Sequence, residues 1–277
     1  MTVPSASERI VANLLTARTG QELSQARNWR IGSALSGIFR ERGISNIDQL
    51  ACMLDAPDNG ILSQQVVEAL LNNETYFFRD RPMFDHLANS VFPEIERRNA
   101  AARRMSILCA GCSTGQEALS IAMLLREQSV RWKDWQIEIV GVDVSHSAIA
   151  SARAAVYSQF EVQRGLSVAQ MLGNFRETPM GWEAKEDLQK MTQFRVHNLL
   201  TPLQSDSKFD LILCRNVLLY FGESTRSLVM SLLLQKLHPE GWMMLGAGET
   251  VADRTMPLTQ IKEATNFYRH NGSSIAA

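Results

Sequence analysis

The stretch Ile107-Leu108-Cys109-Ala110-Gly111-Cys112-Ser113-Thr114-Gly115-Gln116-Glu117 decides how this chain folds. A short apolar run enters a turn of small residues, and a helix-forming segment follows. That order brings backbone N–H groups at a helix start against a nucleotide-like ligand. The glycines are spaced G-x-x-x-G, with Ser113 between them, and not as the G-x-G-x-x-G of nicotinamide folds. Glu117 stands in the first helical turn, where an anion repels a pyrophosphate and suits a cationic ligand group. Its plainer role is to complement its own helix dipole.

The next apolar run, Ile137 to Val142, ends at Asp143, placed to accept hydrogen bonds from two ribose hydroxyls. A ribose, no phosphate and a cation to neutralise together describe S-adenosylmethionine. Outward from this pair of strand ends, Met105 to Ala110, Phe209 to Cys214 and Trp242 to Gly246 read as strands. Met83 to Arg98, Glu117 to Leu125, Ala148 to Tyr157 and Thr225 to Leu237 read as helices, with Pro239-Glu240-Gly241 as a turn. Such alternation predicts βαβ units and a parallel sheet covered on both faces. Thr265 to Arg269 is a candidate strand to close the sheet edge.

Two more strand ends face the same cleft, because ligands of open α/β sheets lie across the carboxyl ends of strands. Asn198-Leu199 offers an amide and a backbone N–H to an adenine edge, and Cys214-Arg215-Asn216 ends another strand. Tyr220, shortly after, reads equally as an interior tyrosine. The polar segment 175–196, with Pro179-Met180-Gly181 at a turn, reads as a small β-hairpin-like insertion too poor in apolar residues to stand alone.

Residues 1–72 read as helical throughout, with Ile10, Leu14 and Leu15, then Ile31, Leu35, Ile38 and Phe39, then Val66, Val67, Leu70 and Leu71 at helical spacing. Arg18, Arg27, Arg30, Arg40 and Arg42 make one locally basic region. It is either a solvated face or a docking surface for an acidic partner helix. Between this region and the sheet lies Asn73-Glu74-Thr75-Tyr76-Phe77-Phe78-Arg79. A core run does not usually keep an Arg beside two Phe, and a surface loop does not usually carry three aromatics in a row. The wall of a pocket for an anionic or zwitterionic ligand satisfies both; a linking turn whose Arg reaches water is the alternative.

At 277 residues, 45% hydrophobic and 21% charged, the chain suits one large or two smaller globular domains. A net charge of −1 draws it to neither nucleic acid nor membrane. Met1 to Glu8 have neither the basic nor the apolar region of a secretory signal. Four cysteines make no disulfide framework, and a reducing cytoplasm is the expected home. Cys109 and Cys112 form a C-x-x-C, but no further ligands stand at zinc-site spacing, so no metal is expected.

With these residues in place the chain resembles the CheR-type chemotaxis receptor protein-glutamate O-methyltransferases. The marks are N-x-T-x-F-F-R (Asn73, Thr75, Phe77, Phe78, Arg79), S-T-G-x-E (Ser113 to Glu117) and C-R-N-V-x-x-Y-F (Cys214 to Phe221). The resemblance implies an α/β class I (Rossmann-like) methyltransferase domain over 73–277, an all-helical receptor-docking domain over 1–72 and the small β-subdomain over 175–196. It implies a cofactor site lined by Asn73, Thr75, Arg79, Gly111, Glu117, Asp143, Asn198, Leu199, Arg215 and Asn216. Arg79 and Tyr220 would then stand nearest the chemistry, and Arg18, Arg27 and Arg30 would dock the substrate.

The implied reaction moves the methyl of S-adenosylmethionine to glutamate side chains on the cytoplasmic helical region of a chemoreceptor. The product is S-adenosylhomocysteine, and the resemblance implies a monomer with no membrane insertion. Arg79 is suited to a carboxylate of the substrate or of the cofactor. The chain departs from the family at Cys109, where many class I enzymes carry an acid, and at Gly246-Ala247-Gly248-Glu249, where a His is common. The short 175–182 loop puts a tethering peptide on the receptor's C-terminus in doubt. A non-catalytic binding adaptor and a methyltransferase for RNA or a small molecule are the rival readings.

Overall fold

The structure, a computed structural model, describes residues 5–23, 30–56, 59–204 and 207–272, without the side chain of Arg30. The chain divides into two compact units. One comprises residues 1–72 with Leu219–Arg226, the other Asn73–Leu218 with Ser227–Ala277.

The first unit holds four helices: α1 (Ala6–Thr19), α2 (Arg30–Arg42), α3 (Ile47–Leu54) and α4 (Gly60–Leu70). Ser5 starts α1 with a capping box to Glu8, and Gly20 ends it in the left-handed conformation at φ 74°. The buried stripe of α1 is Val11, Leu15 and Thr19, whereas Ile10 is 45% exposed. Leu15 is thus buried as its spacing predicts, and Val11 takes the inward position expected of Ile10. The end of the last motif joins this unit: the Glu22 N–H donates to the Tyr220 carbonyl at 2.7 Å, and Gln21 bridges Phe221.

The second unit opens with α5 (Arg81–His86), a π-helical turn over Leu87–Val91 and α6 (Phe92–Arg98). The single helix expected from Met83 is thus interrupted just before Pro93, which has no N–H to give a regular ladder. There follow β1 (Arg104–Ala110), α7 (Gln116–Glu127), β2 (Gln136–Asp143), α8 (His146–Ala154) and β3 (Val156–Tyr157). Next come α9 (Gln159–Gln163), α10 (Val168–Asn174), β4 (Phe175–Thr178), β5 (Gly181–Ala184), α11 (Glu186–Met191), β6 (Thr192–Val196) and β7 (Phe209–Cys214). The chain closes with α12 (Glu223–Lys236), whose first residues are counted with the other unit, then β8 (Leu237–Leu245), β9 (Leu258–Ile261) and β10 (Ala264–His270).

The main sheet runs β6-β2-β1-β7-β8-β10-β9. Its first five strands are parallel, and β10 lies antiparallel between β8 and β9. This is the α/β, Rossmann-like order 3-2-1-4-5 with one antiparallel strand slotted in before the last. Every residue of β7 is buried, as a central parallel strand between two helical layers requires. Three expectations change. The sheet edge is β9, and β10 lies one strand in from it. Pro239-Glu240-Gly241 is part of β8, at an irregularity in its pairing with β7, with Glu240 at φ 61°. The small sheet is β3-β5-β4, so it recruits Val156–Tyr157, while Thr192–Val196 pairs in parallel with β2 in the main sheet. A two-residue strand carries too short a pattern to be read from sequence.

Candidate functional site

The candidate residues of the second unit gather where β1, β2, β6, β7 and β8 end. Gly111, just past β1, has φ 77°, and a Cβ there would sit 2.3 Å from Cγ2 of Val217. Glycine at 111 thus lets the turn after β1 lie against the turn after β7. Gly115 (φ 92°) starts α7. Between them Ser113, also left-handed at φ 50°, donates its N–H to Asp143 Oδ2 at 2.9 Å and its hydroxyl to the Asn73 carbonyl at 2.7 Å. The other Asp143 oxygen accepts the Ser145 N–H at 2.9 Å, and Asn73 Nδ2 donates to Ser145 Oγ at 3.4 Å. The motif loop at 73, the glycine turn and the end of β2 are therefore one hydrogen-bonded assembly. The end of β6 joins it, since the His197 N–H donates to the Asp143 carbonyl at 2.8 Å. Beyond it Asn198 turns its Oδ1 onto the Leu200 N–H at 3.1 Å, and Leu199 is buried.

The floor of this region is built around Arg215, whose side chain is 1% exposed. It donates to Glu117 Oε2, to Asp80 Oδ2 and to the Arg79 carbonyl, each at 2.8 Å. Its guanidinium also lies 5.6 Å from the Phe84 ring centre. Glu117 is ion-paired to Arg215 and not left for a ligand alone. Arg215 supports the floor through its two terminal nitrogens, and its Nε is buried with no hydrogen-bond partner among the described residues. The cluster of Arg215, Glu117 and Asp80 keeps one negative charge in excess. Asp80, which sequence reading missed, starts α5 in the left-handed conformation (φ 62°), as does Phe78 (φ 51°). Such backbone is held only where its surroundings demand it. Here Ser120 Oγ accepts the Phe78 N–H at 2.9 Å, and Arg215 grips residues 79 and 80.

Asn216 is likewise left-handed (φ 58°), and its N–H donates to Glu249 Oε2 at 2.7 Å. The same oxygen accepts the Gly246 N–H at 2.8 Å, so one buried carboxylate ties the ends of β7 and β8 together. Asn216 Oδ1 is buried with no hydrogen-bond partner among the described residues, the kind of atom a bound ligand would satisfy. Cys109, Cys112 and Cys214 lie buried beneath these turns as free thiols. Burial, reinforced by Glu117 at Cys109 and by Asp143 at Cys112, pushes both thiols well above the ordinary range. Protonated thiols do not support redox exchange. Among the described residues no group of three potential ligands could hold a metal ion.

In the 73–79 segment, Phe77 is fully buried, edge-on to Tyr157 (5.1 Å) and Phe175 (5.4 Å), and Phe78 packs edge-on to Phe84 at 5.3 Å. Both are core residues beneath the site and not its wall, each contributing about 1.5–3 kcal/mol by burial. Thr75 and Arg79 are half-buried. Arg79 donates to the Glu74 carbonyl at 3.2 Å and lies 5.5 Å from the Tyr76 ring centre. Tyr220 belongs to the helical unit, where its hydroxyl accepts from Asn72 Nδ2 at 2.5 Å. Arg18 is exposed on the last turn of α1, Arg30 begins α2, and Arg27 lies outside the described residues. No helix among the described residues is long and apolar enough to cross a membrane.

Residues 73–267 match the family model described as CheR methyltransferase, SAM binding domain. The chemotaxis protein methyltransferase Cher2 of Pseudomonas putida is 32% identical, over 83% of this chain and 84% of that protein. Chemotaxis protein methyltransferase 1 of Pseudomonas aeruginosa is 30% identical over 91% of this chain and 92% of its own length. The chemotaxis protein methyltransferase of Vibrio parahaemolyticus is 31% identical, over 92% and 93% respectively.

Proposed function

Because this chain belongs to the CheR methyltransferase family, with its class I S-adenosylmethionine-binding fold, we propose that it methylates glutamate side chains of chemoreceptors for sensory adaptation. When bound, S-adenosylmethionine supplies an activated methyl group, leaving as S-adenosylhomocysteine once a carboxylate oxygen has displaced its sulfur. The observation that carries the reading is the charge arrangement at the strand ends. The cluster of the partly exposed carboxylates Glu117 and Asp80 with the buried Arg215 holds one negative charge in excess, which suits a cationic cofactor. Arg79, whose carbonyl rests on Arg215, brings a positive charge to the same loop for a carboxylate.

Asp143 is the group for the ribose, since a carboxylate oxygen accepts more than one hydrogen bond. Asn216 Oδ1 and the Asn198–Leu199 segment supply further polar contacts. No strong general base is needed, because a glutamate with a pKa of about 4.3 is already ionised at neutral pH. The residues' task is to hold an acceptor oxygen in line with the methyl group and to keep water from both charges. Arg79 orients the acceptor's carboxylate or the cofactor's, and Tyr220 contributes a phenolic hydrogen bond that aims the acceptor. Docking of an acidic receptor helix is assigned to Arg18, Arg27 and Arg30 on their charge in the sequence.

The β4–β5 hairpin has a two-residue tip, Pro179-Met180, which leaves little chain to grip a separate tethering peptide. Recognition is therefore independent of a receptor C-terminal tether. In titration calorimetry, peptides copying receptor C-termini are expected to show no heat of binding at micromolar concentrations, whereas S-adenosylhomocysteine is expected to bind. Micromolar binding of such a peptide contradicts this part of the reading. Alkali-labile methyl groups mapped to receptor glutamates are the product that tests the activity itself.

A further inference from the structure

The inserted segment between α8 and β6 presses directly on the motif loop. Arg164, at the end of α9, pairs with Glu74 through Nη2 and Oε1 at 2.7 Å, and its guanidinium lies 4.4 Å from the Tyr76 ring centre. Gly165, the next residue, has φ 106°, and a Cβ there would fall 1.9 Å from the Phe77 carbonyl oxygen. Glycine is thus demanded for a backbone-to-backbone approach, and that approach sets where Arg164 begins. Arg79 meets the same two residues: it donates to the Glu74 carbonyl and lies within cation–π range of Tyr76.

Glu74 and Tyr76 occupy the unspecified positions of N-x-T-x-F-F-R, yet each touches both guanidinium groups. Glu74 holds Arg164 with its carboxylate and Arg79 with its carbonyl. Tyr76 offers one ring to both cations, and the Glu74 carboxylate offsets part of the repulsion between them. We infer that Arg164 is a positioning residue for methyl transfer: acting through Glu74 and Tyr76, it holds the Arg79 guanidinium in its working orientation. This rests on the reading of Arg79 given above. Arg164 touches neither donor nor acceptor; it makes the inserted segment part of the machinery that aims them. The pair is about half-exposed, so its contribution to global stability is small, and a catalytic effect can be read without unfolding the protein.

The test compares Arg164→Ala, Arg164→Lys, Glu74→Gln and the Glu74→Gln/Arg164→Ala double variant in the full chain. Arg164→Ala is expected to keep its melting temperature while kcat falls about tenfold, as a small misorientation produces, and its affinity for S-adenosylhomocysteine falls only where Arg79 serves the methionine carboxylate. Arg164→Lys recovers part of that loss, and the double variant is no worse than the worse single one. In parallel, amide hydrogen exchange of residues 74–79 in the S-adenosylhomocysteine complex speeds up in Arg164→Ala. Wild-type kcat in a folded Arg164→Ala protein overturns the inference, as does unchanged exchange over 74–79. If the unaltered protein transfers no methyl group to any receptor, the proposed function fails instead. The exchange measurement then decides the role of Arg164 alone.

Discussion

Arg79→Ala is expected to lower methyl transfer by a factor of at least about 100, the order seen when an oriented charged contact to a reacting system is lost. The structure places Arg79 half-buried at the end of the motif loop, with one donor on the Glu74 carbonyl and its own carbonyl on Arg215. Most of its guanidinium donors thus remain for a carboxylate, and alanine removes them without disturbing the backbone that Arg215 grips. Two assays divide the effect. If Arg79 serves the acceptor, S-adenosylhomocysteine binds as before and the loss falls on turnover. If it serves the methionine carboxylate, cofactor affinity falls with it. Arg79→Lys keeps the charge but not the planar fork, so it recovers only part of the activity. Near-wild-type turnover of Arg79→Ala removes this residue from the site.

Arg215→Ala carries the largest structural penalty. The side chain is 1% exposed and its ion-pair partners are two carboxylates, Glu117 at 14% exposure and Asp80 at 32%. Deleting the cation leaves two like charges near each other with no counter-charge in the cluster. Breaking a buried ion pair from one side typically costs about 3–5 kcal/mol. Urea unfolding followed by tryptophan fluorescence should show a loss of that order, and S-adenosylhomocysteine binding should weaken as residues 78–80 leave their left-handed backbone. Arg215→Lys is expected to fall between, since one ammonium does not reproduce the fork that joins Glu117, Asp80 and the Arg79 carbonyl. An Arg215→Ala protein as stable as the parent contradicts this description of the floor.

Much of the site could be read in the sequence because its signals are local. The apolar run, the glycine turn and Glu117 are consecutive, and Asp143 ends the next strand, so strand–turn–helix logic placed them together. What escaped was long-range pairing. Glu117 looked free for a ligand because its partner, Arg215, lies 98 residues away, and no periodicity links the two. Asp80 carried no signal beyond following Arg79. Phe77 and Phe78 looked like pocket wall because composition does not say which way a ring points; their aromatic partners come from α5, β3 and β4. The insertion was given the wrong limits because β3 is two residues long and β6 is a polar edge strand of the main sheet. Arg164 was invisible for the same reason as Arg215, since its role exists only once the insertion folds back onto residues 74–77.

The most direct test of the central claim is a methylation assay with membranes from the same cell and S-adenosylmethionine carrying a tritiated methyl group. Alkali treatment then releases methyl esters as volatile methanol. The predicted result is base-labile label on glutamates of a chemoreceptor, reduced at least about 100-fold with Arg79→Ala. Base-stable label would assign a different acceptor chemistry. No label at all, from a protein that still binds S-adenosylhomocysteine, would make the chain a non-catalytic adaptor and contradict the account.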